Sequence, residues 1–444
     1  SRDRTQSKVG SYRSWSLGSA CTSDEHDLIM QRYSVFSLLR NSLSYHEHWQ
    51  QAWRNPEPKR QYDVVIIGGG GHGLGAAHYL AKDHGITNVA VLEKGWLGGG
   101  NTGRNTMTVR SNFLREASVP FHEESLALYH GLSKELNYNL MVGKRGMISF
   151  LQSSGASRIA TQMANTMHIY GARYEMMSLE EIKRRLPIFE PPADTRMPIV
   201  GGVYQPDATM VRHDAVAWGF ARSADSRGVD IIQNCEVTGI LRDNRGITGV
   251  ETTRGTIKAK KVGMAVAGHG SVVAAMAGLR LPIVTQPLQA WVSEPIKPVL
   301  DEIVVIRNYF GTYLMQSDKG EIVIGQGCDP YSSYAQRGTF PIIENASSAM
   351  LEIFPRFKRL KLLRHWAGML DMTYDGSPII SKTDIPGFYI DVAGSGGFKT
   401  TPVAAKTHAH LIATDQSHEL TRDLGLNRFG TGHLVVEGGV SANH

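Results

Sequence analysis

The chain has 444 residues, enough for two domains or for one large α/β unit with an inserted second domain. Hydrophobic residues make up 41% and charged residues 20%, which is ordinary for a globular protein. No apolar run approaches the ~20 residues of a membrane span, and the net charge of +6 is too dispersed to indicate nucleic acid binding. The composition therefore predicts a protein with neither a membrane nor a nucleic acid as its partner.

Cysteine usage argues against disulfides and metal. The three cysteines, Cys21, Cys235 and Cys328, have no C-x-x-C spacing and no nearby histidine ligands. We therefore expect no metal site and a reducing compartment, that is, a cytoplasmic location.

The N-terminal region divides into two segments of different composition. Residues 1–29 are Ser- and Arg-rich and aperiodic, so we predict a disordered extension upstream of the true start at Met30. They lack the apolar core of a secretory signal. Residues 30–60 form an amphipathic arm that ends at a Pro-containing linker.

The stretch from Tyr62 to Glu93 organises the chain. An apolar, β-branched run over residues 64–67 predicts a strand buried on both faces. Glycines at 68, 70 and 73 then form G-x-G-x-x-G, followed by a helical pattern, a second strand over 89–92 and the carboxylate of Glu93. This order predicts a dinucleotide-binding unit.

Each residue of this unit has a physical reason. Gly68 permits a tight turn, Gly70 lets the backbone approach a pyrophosphate, and Gly73 lets the helix pack close to the sheet. The helix N-terminus offers amide groups and a positive dipole to phosphates. Glu93 is placed to accept hydrogen bonds from a ribose.

The next segments combine a glycine-rich loop with helical and strand patterns. A second glycine-rich loop over 98–103 carries Arg104 and Arg110; for Arg104 a solvent-facing position is equally compatible. Residues 117–190 are mainly helical, with a strand in GMISFL and a capping box at Ser178 and Glu181. A strand over 200–205 precedes a helix that begins near His213.

The later segments predict strands that belong to two different sheets. Strands over 230–267 lead into AGHGS, a third glycine turn at Gly268. Residues 281–364 alternate apolar and polar residues, as in an antiparallel sheet with one free face suited to walling a cavity, followed by a helix over 342–357. A strand over 388–392 enters a fourth glycine loop before Lys399.

Four glycine turns after apolar strands suggest one extended cofactor, and favour FAD over NAD. Residues 30–444 resemble the β subunits of heterotetrameric sarcosine oxidases, flavoproteins of the glycine/D-amino-acid oxidase type. The motifs that carry the resemblance are SYHEHWQQAWRNPEPK, YDVVIIGGGGHGL, RHDAVAWGFA, GVDIIQNCEVTG, QSDKGEIVIG, SPIISKT and GGFKTTP.

We therefore expect an α/β fold (α+β, two domains) that is D-amino-acid-oxidase-like. A Rossmann-like FAD-binding domain is predicted over residues 61–116, 200–280 and 365–415. The inserted antiparallel-sheet substrate domain is predicted over 117–199 and 281–364, and a C-terminal tail over 416–444.

The resemblance implies non-covalent FAD and an FMN covalently attached to His213 of the R-H-D motif, with Asp214 able to orient the ring. It implies that Arg110 and Lys399 bind a substrate carboxylate. The cofactor-binding residues implied are Gly68, Gly70, Gly71, His72, Gly73, Glu93, Lys94, Gly100, Asn101, Thr102, Arg104, Asn105, His213, Val237, Gly268, Gly396, Gly397, Phe398 and Lys399.

The implied reaction is the oxidative demethylation of sarcosine by way of FAD and then FMN. Its products are glycine, peroxide, and formaldehyde or methylenetetrahydrofolate. The implied partners are α, γ and δ subunits. Departures such as AGSGGFK, NTMTVR and GHGS surround the flavin and the substrate. Two alternative hypotheses therefore remain. One is oxidation of another secondary amine, such as N-methylglutamate or a cyclic amino acid, and the other is a redox-silent flavin-binding subunit.

Overall fold

The computed structural model describes residues 34–45, 47, 51–196, 198–306, 311–392, 394 and 397–437. The chain divides into two compact units, Ser1–Trp49 and Gln50–His444. The first contains helix α1 (Val35–Leu43), at whose N-terminus the Ser34 side chain accepts from the Ser37 amide. The predicted disordered extension, residues 1–29, lies outside the described residues.

The second unit is built from strands and helices that alternate along the chain. The strands are β1 (Gln61–Ile67), β2 (Val89–Leu92), β3 (Thr108–Val109), β4 (Gly143–Lys144), β5 (Met147–Leu151), β6 (Glu175–Met177), β7 (Gly201–Gln205), β8 (Thr209–Met210), β9 (Asp230–Ile232), β10 (Val237–Asp243), β11 (Gly246–Thr252), β12 (Gly255–Met264), β13 (Ile283–Pro295), β14 (Ile303–Ile306), β15 (Thr312–Gln316), β16 (Glu321–Cys328), β17 (Leu362–Thr373), β18 (Ile379–Lys382) and β19 (Phe388–Val392).

The helices are α2 (Gly71–His84), α3 (Ser118–Glu135), α4 (Ser154–Ile169), α5 (Leu179–Arg185), α6 (His213–Asp225), α7 (Gly270–Met276), α8 (Phe340–Ile353), α9 (Thr401–Thr414) and α10 (Arg428–Thr431). Within the part of the chain that the structure describes, no helix is both long and apolar enough to cross a membrane.

The first sheet surrounds β1. Its strand order is β10–β11–β12–β1–β2–β9, with β19 also paired to β12 and β18 paired to β19. The pairs of β1 with β12 and β2 are parallel. Val64 and Ile66 belong to the core beneath α2, whereas Val65 and Ile67 belong to the core on the other face. A strand covered on both faces explains the uninterrupted apolar run.

The second sheet has the strand order β17–β13–β16–β15–β14–β5–β7–β6. It is antiparallel as predicted, except for the parallel pair of β5 and β14. One face packs on α8 and α5 through a core that includes Phe150, Trp291 and Phe354. Helix α8 ends at Ile353 because Pro355 interrupts it, and residues 355–359 continue as a 3₁₀ turn.

Two segments belong to the second sheet although the sequence pattern placed them in the FAD-binding domain. β7 pairs with β5, and β17 pairs with β13 along its length. An apolar strand pattern does not specify its partner strand, so residues 201–205 and 365–373 were misplaced. The other domain boundaries stay a prediction.

The C-terminal segment is tied into the fold. Arg428 and Asp375 form a buried ion pair, with Nε 2.7 Å from Oδ2. The buried carboxylate of Glu437 accepts hydrogen bonds from the amides of Leu114 and Arg115. These contacts fix residues 428–437 to Asp375 and to the segment that follows β3, because breaking a buried charge pair is strongly destabilising.

The close approach of α2 to β1 gives a testable prediction. A Cβ atom at Gly73 would lie 1.9 Å from the carbonyl oxygen of Gly68. We therefore expect Gly73→Ala to reduce the free energy of unfolding by about 3 kcal/mol or more, measured by urea denaturation.

Gly131 provides the matched control, because it also lies inside a helix but nothing comes within 4 Å of an added Cβ. We expect Gly131→Ala to stabilise the protein by about 0.5–1 kcal/mol. Equal stabilities of Gly73→Ala and the parent would show that the contact is not a constraint.

Candidate functional site

A cavity of about 570 Å³ lies between the two sheets. The first sheet contributes the carboxyl ends of β1, β2 and β19, and the second contributes side chains of β13, β14, β15 and β17. The N-terminus of α2 opens into it through Gly70, Gly71 and His72. The carboxyl edge of a parallel sheet is where such folds place ligands.

The glycine turn before α2 keeps side chains away from the cavity. Gly68 has a φ of 110°, and a Cβ there would lie 2.4 Å from the carbonyl oxygen of Ala265. The amide of Gly71 donates to Thr102 Oγ1 at 3.0 Å. The turn therefore presents backbone and a helix N-terminus, the arrangement that suits a pyrophosphate.

Glu93 is held by the backbone at the end of β2. Its Oε2 accepts from the Gly69 amide at 2.8 Å, and its Oε1 accepts from the Gly95 amide at 2.9 Å. The carboxylate is half-buried and lines the cavity. Each oxygen retains a second lone pair, so the geometry fits an acceptor for ribose hydroxyls.

The loop over residues 98–105 joins the two sheets across the cavity. Asn101 Oδ1 accepts from the Met369 amide of β17 at 2.9 Å. The guanidinium of Arg104 donates to the carbonyls of Gly99 and Gly100. Burial and the neighbouring Arg364 lower the pKa of Arg104. Arg104 is therefore not solvent-facing; it braces this loop from a half-buried position.

His72 connects α2 with β19 and the fourth glycine loop. Its Nδ1 lies 2.8 Å from Asp391 Oδ2, and its Nε2 lies 2.7 Å from the carbonyl oxygen of Gly397. Both partners are acceptors, so both ring nitrogens donate and the imidazole is cationic. Burial lowers the pKa of His72, but the Asp391 carboxylate outweighs it and the pKa is raised.

Two further buried side chains, His408 and Asp371, lie near the carboxyl edge of the first sheet. His408 of α9 is fully buried, and burial lowers its pKa to about 4, so this imidazole is neutral. Asp371 Oδ2 accepts from the amide of Gly268 at 2.7 Å, fixing the third glycine turn, and burial raises the pKa of Asp371 to about 6.

Arg110 and Lys399 lie together at one end of the cavity. The guanidinium carbon of Arg110 is 5.1 Å from the centre of the Phe113 ring, and Lys399 Nζ is 5.2 Å from it. Arg110 Nη1 donates to Asn112 Oδ1 at 2.6 Å. The Tyr313 hydroxyl, which accepts from Thr106 Oγ1, lines the same end. Two convergent cations suit a carboxylate.

His213 lies outside this cavity, at the start of α6. Its ring is edge-on to Phe398, with the centroids 6.5 Å apart. It hydrogen-bonds the backbone of Gly103, whereas its buried Nδ1 has no partner among the described residues. Burial lowers its pKa, so the ring is neutral. Asp214 pairs with Arg212 at 2.7 Å, and among the described residues His213 Nδ1 has no hydrogen bond to it, so the orienting role implied by the R-H-D motif stays a prediction.

Most predicted site residues come together in the cavity. Those that line it are Gly68, Gly70, Gly71, His72, Glu93, Lys94, Gly100, Asn101, Thr102, Arg104, Asn105, Arg110, Val237, Gly397, Phe398 and Lys399. Gly73 and Gly268 shape turns beside it without lining it. Gly396 lies outside the described residues. Their roles toward a ligand stay predictions.

Sequence reasoning missed three side chains that line the cavity, Tyr313, Asp371 and Asp391. It also missed Phe113 and His122, which lie behind the two cations. Phe113 and His122 carry no motif, since their role comes from packing. Asp391 ends the strand before the fourth glycine loop, and a carboxylate at that place could have been identified as a partner for a cation.

Comparison with known proteins identifies the family. Residues 63–411 match the family model described as FAD dependent oxidoreductase. Sarcosine oxidase subunit beta from an Arthrobacter species is 50% identical over 397 residues, 89% of this chain and 98% of that protein. The Rhodobacter capsulatus protein of the same name is 46% identical over 409 residues, covering 92% and 98%.

Solved structures agree in fold. L-proline dehydrogenase from P. horikoshii superposes with a TM-score of 0.80 at 28% identity, over 85% of this chain and all of that one. Glycine oxidase from Geobacillus kaustophilus gives 0.75 at 21% identity, over 83% and 99%. The chain therefore belongs to the FAD-dependent oxidoreductases, the family of two-domain flavoproteins that includes the sarcosine oxidase β subunits.

Proposed function

We propose that this chain is the amine-oxidising β-type subunit of a multi-subunit sarcosine oxidase complex. Its substrate is sarcosine or a similar N-methyl amino acid, oxidised at the CH–NH bond. The observation that carries the proposal is the pair of cations, Arg110 and Lys399, at the end of a cavity that begins at a dinucleotide-binding turn. The sarcosine oxidase β subunits at 46% and 50% identity support it.

The described residues fit FAD. The turn from Gly68 to Gly71 leaves room where a Cβ would collide, and the N-terminus of α2 faces the cavity. His72, paired with Asp391 and with the carbonyl oxygen of Gly397, fixes that helix end to β19 and to the fourth glycine loop. Glu93 is placed for the ribose. When bound, FAD supplies the acceptor for the hydride equivalent that leaves the substrate.

The cationic end binds and orients the substrate. Arg110 contributes a planar fork that matches a carboxylate, and Lys399 contributes a point charge. The same two charges disfavour an ammonium beside them, so they lower the pKa of the substrate amine. Only the neutral amine can be oxidised at the neighbouring C–H bond. The pair of cations would therefore both bind the substrate and favour its reactive form.

A second candidate is oxidation of a cyclic secondary amino acid. The observation that favours it is the superposition with L-proline dehydrogenase at 28% identity. The two candidates separate in a substrate screen on the purified complex, scored by bleaching of the FAD absorption under anaerobic conditions. Bleaching by sarcosine supports the proposal. Bleaching by proline alone supports the second candidate, and no bleaching by any amine supports a redox-silent subunit.

We further propose that His213 is the attachment site of a covalent FMN, and that α, γ and δ subunits complete the complex. A neutral imidazole whose Nδ1 has no hydrogen-bond partner among the described residues is suited to forming such a bond. Phe398 lines the FAD cavity and contacts His213, which links the two positions. The R-H-D motif of the β subunits is the other support.

Arg110→Met tests the carboxylate role. Loss of charged hydrogen bonds should raise the KM for sarcosine by about 10- to 100-fold, with the ratio of FAD to protein unchanged. Arg158→Met, an exposed position on α4, is the matched control and should leave KM at the parent value. An unaltered KM in Arg110→Met would remove Arg110 from the substrate site.

His213→Ala tests the attachment site. We expect the variant to retain FAD but to lose the flavin fluorescence that co-migrates with the chain on a denaturing gel, because the bonding nitrogen is gone. The control is His130→Ala, another half-buried histidine, which hydrogen-bonds Thr209 and should keep its fluorescent band. A band that persists in His213→Ala places the FMN elsewhere.

A further inference from the structure

We infer that Phe113, backed by His122 of α3, is a positioning platform that holds Arg110 and Lys399 over one ring, where both can bind the same carboxylate. The inference rests on the proposed carboxylate role of these two cations. Phe113 is not a catalytic residue; it acts through the charged groups that lie over its ring.

The ring of Phe113 has a different neighbour on each face. The His122 imidazole stacks on one face, with centroids 3.5 Å apart and planes 19° apart. The guanidinium of Arg110 and the ammonium of Lys399 lie over the ring at 5.1 and 5.2 Å. Because the imidazole fills one face, both cations occupy the other. The negative face of the ring attracts each of them.

The platform itself is fixed. Phe113 is 2% exposed and His122 is 3% exposed. His122 Nδ1 donates to the carbonyl oxygen of Ser118 at 2.8 Å, which sets the ring plane. Burial, and then the charges of Lys399 and Arg110, lower the pKa of His122 well below its usual range. A neutral imidazole adds no third positive charge behind the ring.

The same face of α3 also fixes the backbone that carries Lys399. Ser125 Oγ donates to the carbonyl oxygen of Lys399 at 2.6 Å, and the Tyr129 hydroxyl donates to that of Phe398. Residues 122, 125 and 129 follow one another at helical spacing, so they share one side of the helix. One rigid helix thus holds both cations, one by way of Phe113 and the other by way of its main chain.

The buried carboxylate of Glu437 holds this arrangement from the other side. It accepts from the amides of Leu114 and Arg115, the two residues that follow Phe113. The segment that begins at Arg110 is therefore fixed at Phe113 by α3 and just beyond it by the C-terminal segment. Two like charges that converge need such external support, because their mutual repulsion separates them.

The platform is tested with acetate, which has the carboxylate of the substrate but no amine, on the FAD-loaded complex. The dissociation constant comes from the perturbation of the flavin absorption, with acetamide as the uncharged comparison. Phe113→Leu removes the ring but keeps an apolar side chain of similar bulk. We expect it to weaken acetate binding by about tenfold. The KM for sarcosine should rise in parallel while kcat changes less than about threefold, because the cations bind the carboxylate before and during the reaction.

Two matched variants separate positioning from loss of stability. Phe189→Leu makes the same change at a buried ring in the core beneath the second sheet, beside Phe150 and Phe354, and should leave acetate binding unchanged. His122→Ala removes the stack and should weaken acetate binding as Phe113→Leu does. His122→Phe restores a flat ring and should restore the binding.

The acetate measurements decide between the platform and a purely structural role. Unchanged acetate binding in both Phe113→Leu and His122→Ala, or equal loss in Phe189→Leu, overturns the platform. If one of the first two variants lacks FAD, the other is measured in its place. Failure of sarcosine to bleach the parent overturns the proposed function instead, and acetate binding still decides the role of Phe113.

Discussion

The contact between helix α2 and strand β1 is the constraint on which the cavity depends. At Gly73 the helix comes so close to the carbonyl of Gly68 that no side chain fits between them. This approach aims the first turn of α2, with its amide groups and His72, at the carboxyl edge of the first sheet. If a methyl group at Gly73 displaced the helix, its N-terminal end, which suits a phosphate, and the imidazole of His72 would move together.

Two polar contacts join the second sheet to that edge. Asn101 hydrogen-bonds the backbone of Met369, and Asp371 hydrogen-bonds the turn at Gly268. Both contacts connect β17, the edge strand of the second sheet, to glycine loops of the first. Hydrogen bonds of this kind have strict geometry, so they fix the distance across the cavity more precisely than apolar packing would. They explain how two domains of one compact unit keep a shared site in register.

The first sheet and its ligand edge could be predicted from the sequence, because their signals are local. The apolar run of β1, the glycines after it and Glu93 each have a short-range physical reason. The second-sheet membership of β7 and β17 was not predictable, since an alternating strand does not encode its neighbour. The same limit applied within the site. Arg110 and Lys399 were found from motifs, whereas Phe113 and His122 act through a stack between a loop residue and a helix residue.

The histidines around the cavity show how one residue type takes different charges in one fold. His72 has acceptors at both ring nitrogens, so it is cationic despite its burial. His408 and His122 are more deeply buried and lack a carboxylate within hydrogen-bond distance among the described contacts, and burial keeps them neutral. Burial and the hydrogen-bond partner together therefore set the charge of each ring.

This distribution leaves positive charge where a carboxylate is proposed. The charge of His72 is balanced by the Asp391 carboxylate, whereas Arg110 and Lys399 lie together over the Phe113 ring at the proposed carboxylate site. If His122 were charged as well, three positive groups would surround Phe113, and the added repulsion would push Arg110 and Lys399 apart. The neutrality of His122 is thus as much a part of the anion site as the charge of its neighbours.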